Sequence, residues 1–85
     1  MKYGVYSIYD AAGGIFTAPT IDVSDASAVR AFQQAMENEA SIMHFKPSDF
    51  SFYQVGTFDV ESGAIESVIP PKRLLAGDSG SVEKE

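Results

Sequence analysis

Cysteine is absent from the chain. Disulfides, thiolate-held zinc and cysteine nucleophiles are excluded with it, and the absence fits a reducing compartment. Histidine occurs once, as His44. One histidine without a carboxylate at helical i+4 spacing does not build a typical zinc site, so no metal is expected. Positive charge is scarce: six Lys and Arg stand against twelve Asp and Glu, a formal net charge of −6. Such a charge repels polyphosphate at long range, and nonspecific nucleic-acid binding rests on Lys and Arg neutralising phosphates. The last ten residues, AGDSGSVEKE, hold three acids and one lysine, yet without them the body still carries a net of −4. Any nucleic-acid surface must therefore be a local patch on an acidic background. Long apolar runs are missing too. None approaches the ~18 residues that a membrane helix needs, so no membrane contact is expected. Lys2 followed by a short apolar run broken at Asp10 reads as a first strand rather than a secretory signal.

Catalytic constellations are equally lacking. Ser24, Ser27, Ser41 and Ser48 have no histidine–carboxylate partner signature. Asp59 and Glu61 flank a hairpin, where turn chemistry accounts for Asp59 without catalysis, because Asp side chains bond nearby backbone N–H groups. The segment DVESG lacks the length and oxygen spacing of a calcium loop, and Gly13-Gly14 is too short for a phosphate cradle. We expect no enzyme, no catalytic residue and no cofactor.

The aromatics are what the chain has instead. Phe45, Phe50, Phe52, Tyr53 and Phe58 crowd around the segment PSDFSFYQVGTFDVESGAI, and KYGVYSIYD opens the chain with three tyrosines in nine residues. Both segments read as strands, apolar on both faces, so simple half-burial does not describe them. Ile15 to Val23 continue extended, with Pro19 placing that strand at an edge or making it irregular. Ser24 or Asp25 opens a helix over Ala26 to about Asn38, with Ala28, Val29, Phe32, Ala35 and Met36 as its apolar stripe and Asn38 as a left-handed end. Phe50 to Asp59 and Ala64 to Ile69 form a hairpin closed at Gly63, and Pro70-Pro71 stop the sheet. The expected fold is a single α+β domain over residues 1–75. Its order is ββαββ, with a small antiparallel-dominated sheet, one helix on one face, and a disordered acidic tail over 76–85.

A helix of this length is about 20 Å long and roofs one face of a small sheet, not two. The bare face should therefore meet another molecule. Its aromatics can stack on unpaired bases, or can pair with a second subunit. Tyr6, Tyr9, Phe52 and Tyr53 are the candidates for either role, and Lys2, Lys46, Lys72 and Arg73 are the candidates for phosphate contacts. Parity is not fixed by the pattern, because both faces are apolar. Arg30 is expected to pair with Asp22, Asp25 or a sheet carboxylate.

The order and spacing of several motifs resemble a known group. MKYGVYSIYD, then APTIDVSDASAVRAF with Ala28, Arg30 and Phe32 as A-x-R-x-F, then Pro47, Asp49, Phe50, Tyr53, Gly56, Phe58, Asp59 and Gly63 in P-x-D-[FY]…G-x-F-D…G, span about 60 residues. This pattern resembles the small nonstructural protein of gokushovirus-type microviruses, tailless phages with circular single-stranded DNA genomes. Lys46 departs from the histidine more often found there. The resemblance implies a phage protein made in the bacterial host cytoplasm and absent from the mature capsid. It further implies single-stranded DNA as ligand, in genome replication or the switch to single-strand synthesis. The alternative expectation is a homo-oligomer, favoured as a dimer, that acts on replication or assembly machinery without touching DNA.

Overall fold

The computed structural model describes residues 1–77, apart from the side chain of Ile42. Its elements are β1 (Lys2–Asp10), β2 (Ile15–Phe16), β3 (Thr20–Asp22), α1 (Asp25–Glu37), α2 (Ile42–Phe45), a 3₁₀ turn (Pro47–Asp49), β4 (Phe50–Asp59) and β5 (Ile65–Ala76). The strands make one antiparallel sheet. β1 is central, with β4 and then β5 on one side and the two short strands β2 and β3 in succession on the other. α1 packs on a single face, giving the expected α+β arrangement with the second strand split in two. The split falls at Thr17 to Pro19. There the ladder is replaced by bonds to Thr17, whose N–H donates to Ile8 O at 2.8 Å while the Ser7 hydroxyl donates to Thr17 O at 2.7 Å.

Ser24 caps α1, its hydroxyl accepting from the Ser27 N–H at 3.1 Å, and Asp25 puts negative charge at the positive end of the helix. Ala28, Val29 and Phe32 are buried, as the stripe requires. Asn38 does not become left-handed. Its backbone is extended, at φ −73° and ψ 114°, because its side-chain Oδ1 turns the chain by accepting from the Ala40 N–H.

The core lies between α1 and one sheet face. Phe52 is its centre, stacked on Tyr6 at 5.5 Å between ring centroids and on Phe32 at 4.9 Å. Phe50, Leu74 and Leu75 surround this stack. Two expectations are thereby corrected. Tyr6 and Phe52 are not on the free face but are 1% and 5% exposed in the core. The physical reason is the parity that the sequence pattern left open: the even residues of β1 face the helix together with Phe50, Phe52 and Gln54 of β4, and the bulge after Gln54 turns Gly56 and Phe58 to the other side. Tyr6 also has a specific partner, since its phenol donates to Asp25 Oδ1 at 2.5 Å. Burial, and then that bond to a carboxylate, pushes the phenol well above its ordinary range.

Gly4 makes room for this ring. A Cβ there would collide with the Tyr6 hydroxyl oxygen. Gly4→Ala should therefore displace Tyr6 and destabilise the fold by roughly 1–3 kcal/mol, the usual cost of overpacking. Thermal denaturation checks this, and a midpoint equal to the parent's would refute the contact.

β5 corrects a further expectation, because Pro70-Pro71 do not end the sheet. Residues 68–71 have no register partner on β4, and pairing resumes at Lys72 opposite Gln54. The Ile69–Pro70 bond is cis. An edge strand tolerates prolines at a bulge, and continuing it buries Leu74 and Leu75. A second irregularity, between Phe52 and Tyr53 on β4, inserts Leu74 as an extra residue, so both leucines turn inward. Ala76, placed in the tail by the sequence pattern, is the buried last residue of β5. Gly77 follows it into the body, donating to Phe50 O at 2.8 Å. The rest of the expected tail, 78–85, lies outside the described residues.

The β4–β5 hairpin is closed as expected, with Gly63 at φ 79°. The Asp59 carboxylate accepts from the Glu61 N–H at 2.9 Å, which holds its carboxyl below the usual range.

Candidate nucleic-acid interface

The odd residues of β1 (Tyr3, Val5, Ser7 and Tyr9) point away from the helix, since Gly4 and Tyr6 share the helix side. Register brings Tyr53 opposite Ser7 and Phe16 opposite Tyr9. Three rings result on the face that α1 leaves bare. Tyr9 lies 4.9 Å from Phe16 and 6.4 Å from Tyr53, and Phe16 lies 5.6 Å from Tyr53. The contacts are tilted or edge-on, so the rings do not cover one another's faces as a parallel stack would. Tyr9 and Tyr53 are half-buried and Phe16 is 43% exposed.

Farther along the same side, Tyr3, Phe58 and Ile65 are register neighbours, and Val5 is opposite Ile21. Ile65 and Ile21 are 69% and 50% exposed. Apolar side chains thus lie toward both ends of β1 on this side, with Val5 and Ser7 buried between them, 9% and 4% exposed.

Of the residues singled out from the sequence, Tyr9 and Tyr53 meet on this face, while Tyr6 and Phe52 belong to the core. Phe16 was missed. Its signal was the Gly13-Gly14 turn, which folds Phe16 back beside Tyr9.

The cations are dispersed. Lys2 sits at one end of β1, 3.6 Å from Glu66, and Lys46 is exposed at the other end of the sheet, before the 3₁₀ turn. Arg73 is the register partner of Tyr53. Lys72 lies 3.7 Å from Asp25, one of the carboxylates expected to hold Arg30. With Asp25 engaged by Lys72 and Tyr6, Arg30 forms no ion pair among the described residues.

His44 is exposed and its Nδ1–H donates to Met36 O at 3.2 Å. Among the described residues, no three His, Asp or Glu side chains gather as a metal site would need. No helix there is long and apolar enough to cross a membrane.

A sequence model of the phage ORF5 protein family matches residues 3–80. The chain belongs to that family. No curated protein and no solved structure matches it. In this phage ORF5 family protein the matched stretch takes in the whole sheet except Lys2, both helices, the three rings of the bare face, and Arg30, Lys72 and Arg73.

Proposed function

We propose that this phage ORF5 family protein is a nonstructural accessory protein of gokushovirus type. It acts in the bacterial host cytoplasm and binds single-stranded DNA during genome replication or single-strand synthesis. The observation that carries this reading is the Tyr9–Phe16–Tyr53 cluster on the face without a helix. Bases of an unpaired strand stack on exposed aromatic rings, for roughly 1–3 kcal/mol each, whatever their identity. Arg73, beside Tyr53 in register, supplies a cation where a phosphate would follow a stacked base.

The acidic surface shapes the expected affinity. If two to three of the dispersed cations Lys2, Lys46, Lys72 and Arg73 meet phosphates of one strand, most of the attraction comes from stacking. The salt slope for single strands, about −0.7 per phosphate contact, then amounts to roughly −1.4 to −2.1. Fluorescent oligo-dT titrated at about 50 mM and 200 mM salt should lose roughly 7- to 20-fold in affinity between the two. No binding at the lower salt would reject the DNA reading.

A second reading is favoured by Ile21 and Ile65, exposed beside the aromatic rows, and by the net charge of −6. Here the same face joins two copies, and the dimer acts on replication or assembly machinery without DNA. Light scattering decides it, since a monomer at micromolar concentration removes this reading.

A further inference from the structure

The carboxylates of the sheet all stand on one side of it. Register places Asp22 and Glu66 in the row of Gly4, Glu66 through Thr57. Asp59 is opposite Lys2, and Asp10 is opposite the core residue Phe50. Directly opposite residues share a face, as do residues two apart along a regular strand. All four acids therefore lie on the side of Gly4 and Tyr6, which is the side of α1. The bare face is made by the rows through Tyr3, Val5, Ser7 and Tyr9. Among the described residues, their register partners on the neighbouring strands include no Asp or Glu, in a chain that has twelve.

A face without carboxylates suits contact between two copies. In a two-fold contact the same patch serves on both sides. Each acid in it would be buried against the acids of a partner, and each copy already carries −6. The bare face is the side of the sheet where that cost does not arise. The sheet borders are poor alternatives, because Pro19 and Pro70-Pro71 interrupt their backbone pairing.

Area decides how much of the face a second copy takes. β1 has nine residues, about 30 Å at ~3.4 Å each. The sheet is four strand positions wide, with β2 and β3 sharing one, about 19 Å at ~4.8 Å each. The face is therefore roughly 600 Å², and stable interfaces bury roughly 600–1,000 Å² per partner. The whole face reaches that range and half of it does not. Tyr9, Phe16 and Tyr53 stand at one end, and Tyr3, Phe58 and Ile65 at the other. With two copies antiparallel about an axis near Ser7, each aromatic end is covered by the opposite end of the second copy.

We propose that this face closes on a second copy in a resting dimer, and that single-stranded DNA and the second copy compete for it. The proposal rests on the DNA reading above and joins its two alternatives in one equilibrium. The dimer hides the three rings, and a strand stacks only on the monomer. Apparent DNA affinity then falls by the monomer fraction, so concentrated protein binds a strand more weakly than dilute protein.

Light scattering and oligo-dT titration of the full chain test this together. At high micromolar concentration the parent should scatter as a dimer. A saturating oligo-dT of about six nucleotides, room for one protomer, should lower the mass to one chain plus one oligonucleotide. Where nearly all protein is dimer, ten-fold dilution should raise the apparent affinity about 3-fold, the square-root rise of the monomer fraction. Ile65→Ser, at a position 69% exposed and away from the three rings, should shift the parent's dimer toward monomer. It should also strengthen oligo-dT binding at the concentration where the parent is dimeric, and a thermal melt confirms its fold. A dimer that stays intact with oligo-dT bound overturns the competition and leaves the DNA reading standing. A parent that is monomeric at high micromolar concentration does the same. A dimer unchanged by both Ile65→Ser and Tyr53→Ala lies on another surface and also overturns the proposal. Absence of oligo-dT binding to dilute parent and to Ile65→Ser alike removes the DNA reading itself, and the competition with it.

Discussion

Phe52→Ala is expected to leave a large fraction of the chain unfolded at room temperature. Phe52 is 5% exposed and lies between the rings of Tyr6 and Phe32. Truncating a buried phenylalanine costs about 3–5 kcal/mol, through lost transfer energy and the cavity left behind. A single core in a chain of this size rarely supplies more than roughly 3–5 kcal/mol in total. No disulfide is present to compensate. The two magnitudes are equal, so the folded and unfolded populations should become comparable. Near-ultraviolet circular dichroism would show the loss of fixed aromatic packing, and chemical denaturation would show a missing or truncated folded baseline. A cooperative transition close to the parent's would mean that the stack does not organise the core. Phe52→Leu, which fills most of the volume, should retain the fold and so separates cavity formation from a general intolerance of change.

Tyr53→Ala should weaken oligo-dT binding by about 5- to 150-fold, the equivalent of one lost base stack of roughly 1–3 kcal/mol. Combining it with Tyr9→Ala should weaken binding further, though by less than the product of the single effects, because residues in contact are coupled. The two rings are 6.4 Å apart. Both tyrosines are half-buried on the side away from α1, so their loss leaves the Tyr6–Phe52–Phe32 stack in place. A thermal melt of each variant confirms that binding, and not folding, has changed. Unaltered oligo-dT affinity in the double variant would remove the aromatic face from DNA recognition. If the same variant also passes from dimer to monomer by light scattering, the face belongs to a second copy of the chain.

Much of the architecture was legible because several local signals agreed. Ser24 ahead of an apolar stripe gave the helix start, Gly63 gave the hairpin, and β-rich runs gave β1 and β4 with their observed bounds. Other features depend on pairing, which a sequence does not display. Tyr6 and Tyr9 look alike in KYGVYSIYD, as do Phe52 and Tyr53 in FSFYQV. Which of each pair faces α1 depends on the register of β1 against β4 and on the irregularity between Val5 and Tyr6. β5 was cut short for a related reason. Pro70-Pro71 do interrupt the ladder, but the burial of Leu74 and Leu75 draws the chain back to β4 beyond them. Local propensity marks the interruption and tertiary packing overrides it. The Lys72–Asp25 ion pair was hidden because the two residues are 47 positions apart in sequence and meet only when β5 returns to the sheet beneath α1.

Both borders of the sheet carry proline. Pro70-Pro71 sit within β5, and Pro19 sits between β2 and β3. Neither border offers another chain an unbroken row of donors and acceptors, so strand-by-strand polymerisation is capped at both ends. An open sheet border is where another chain would add by backbone pairing, and the prolines break that template on both sides.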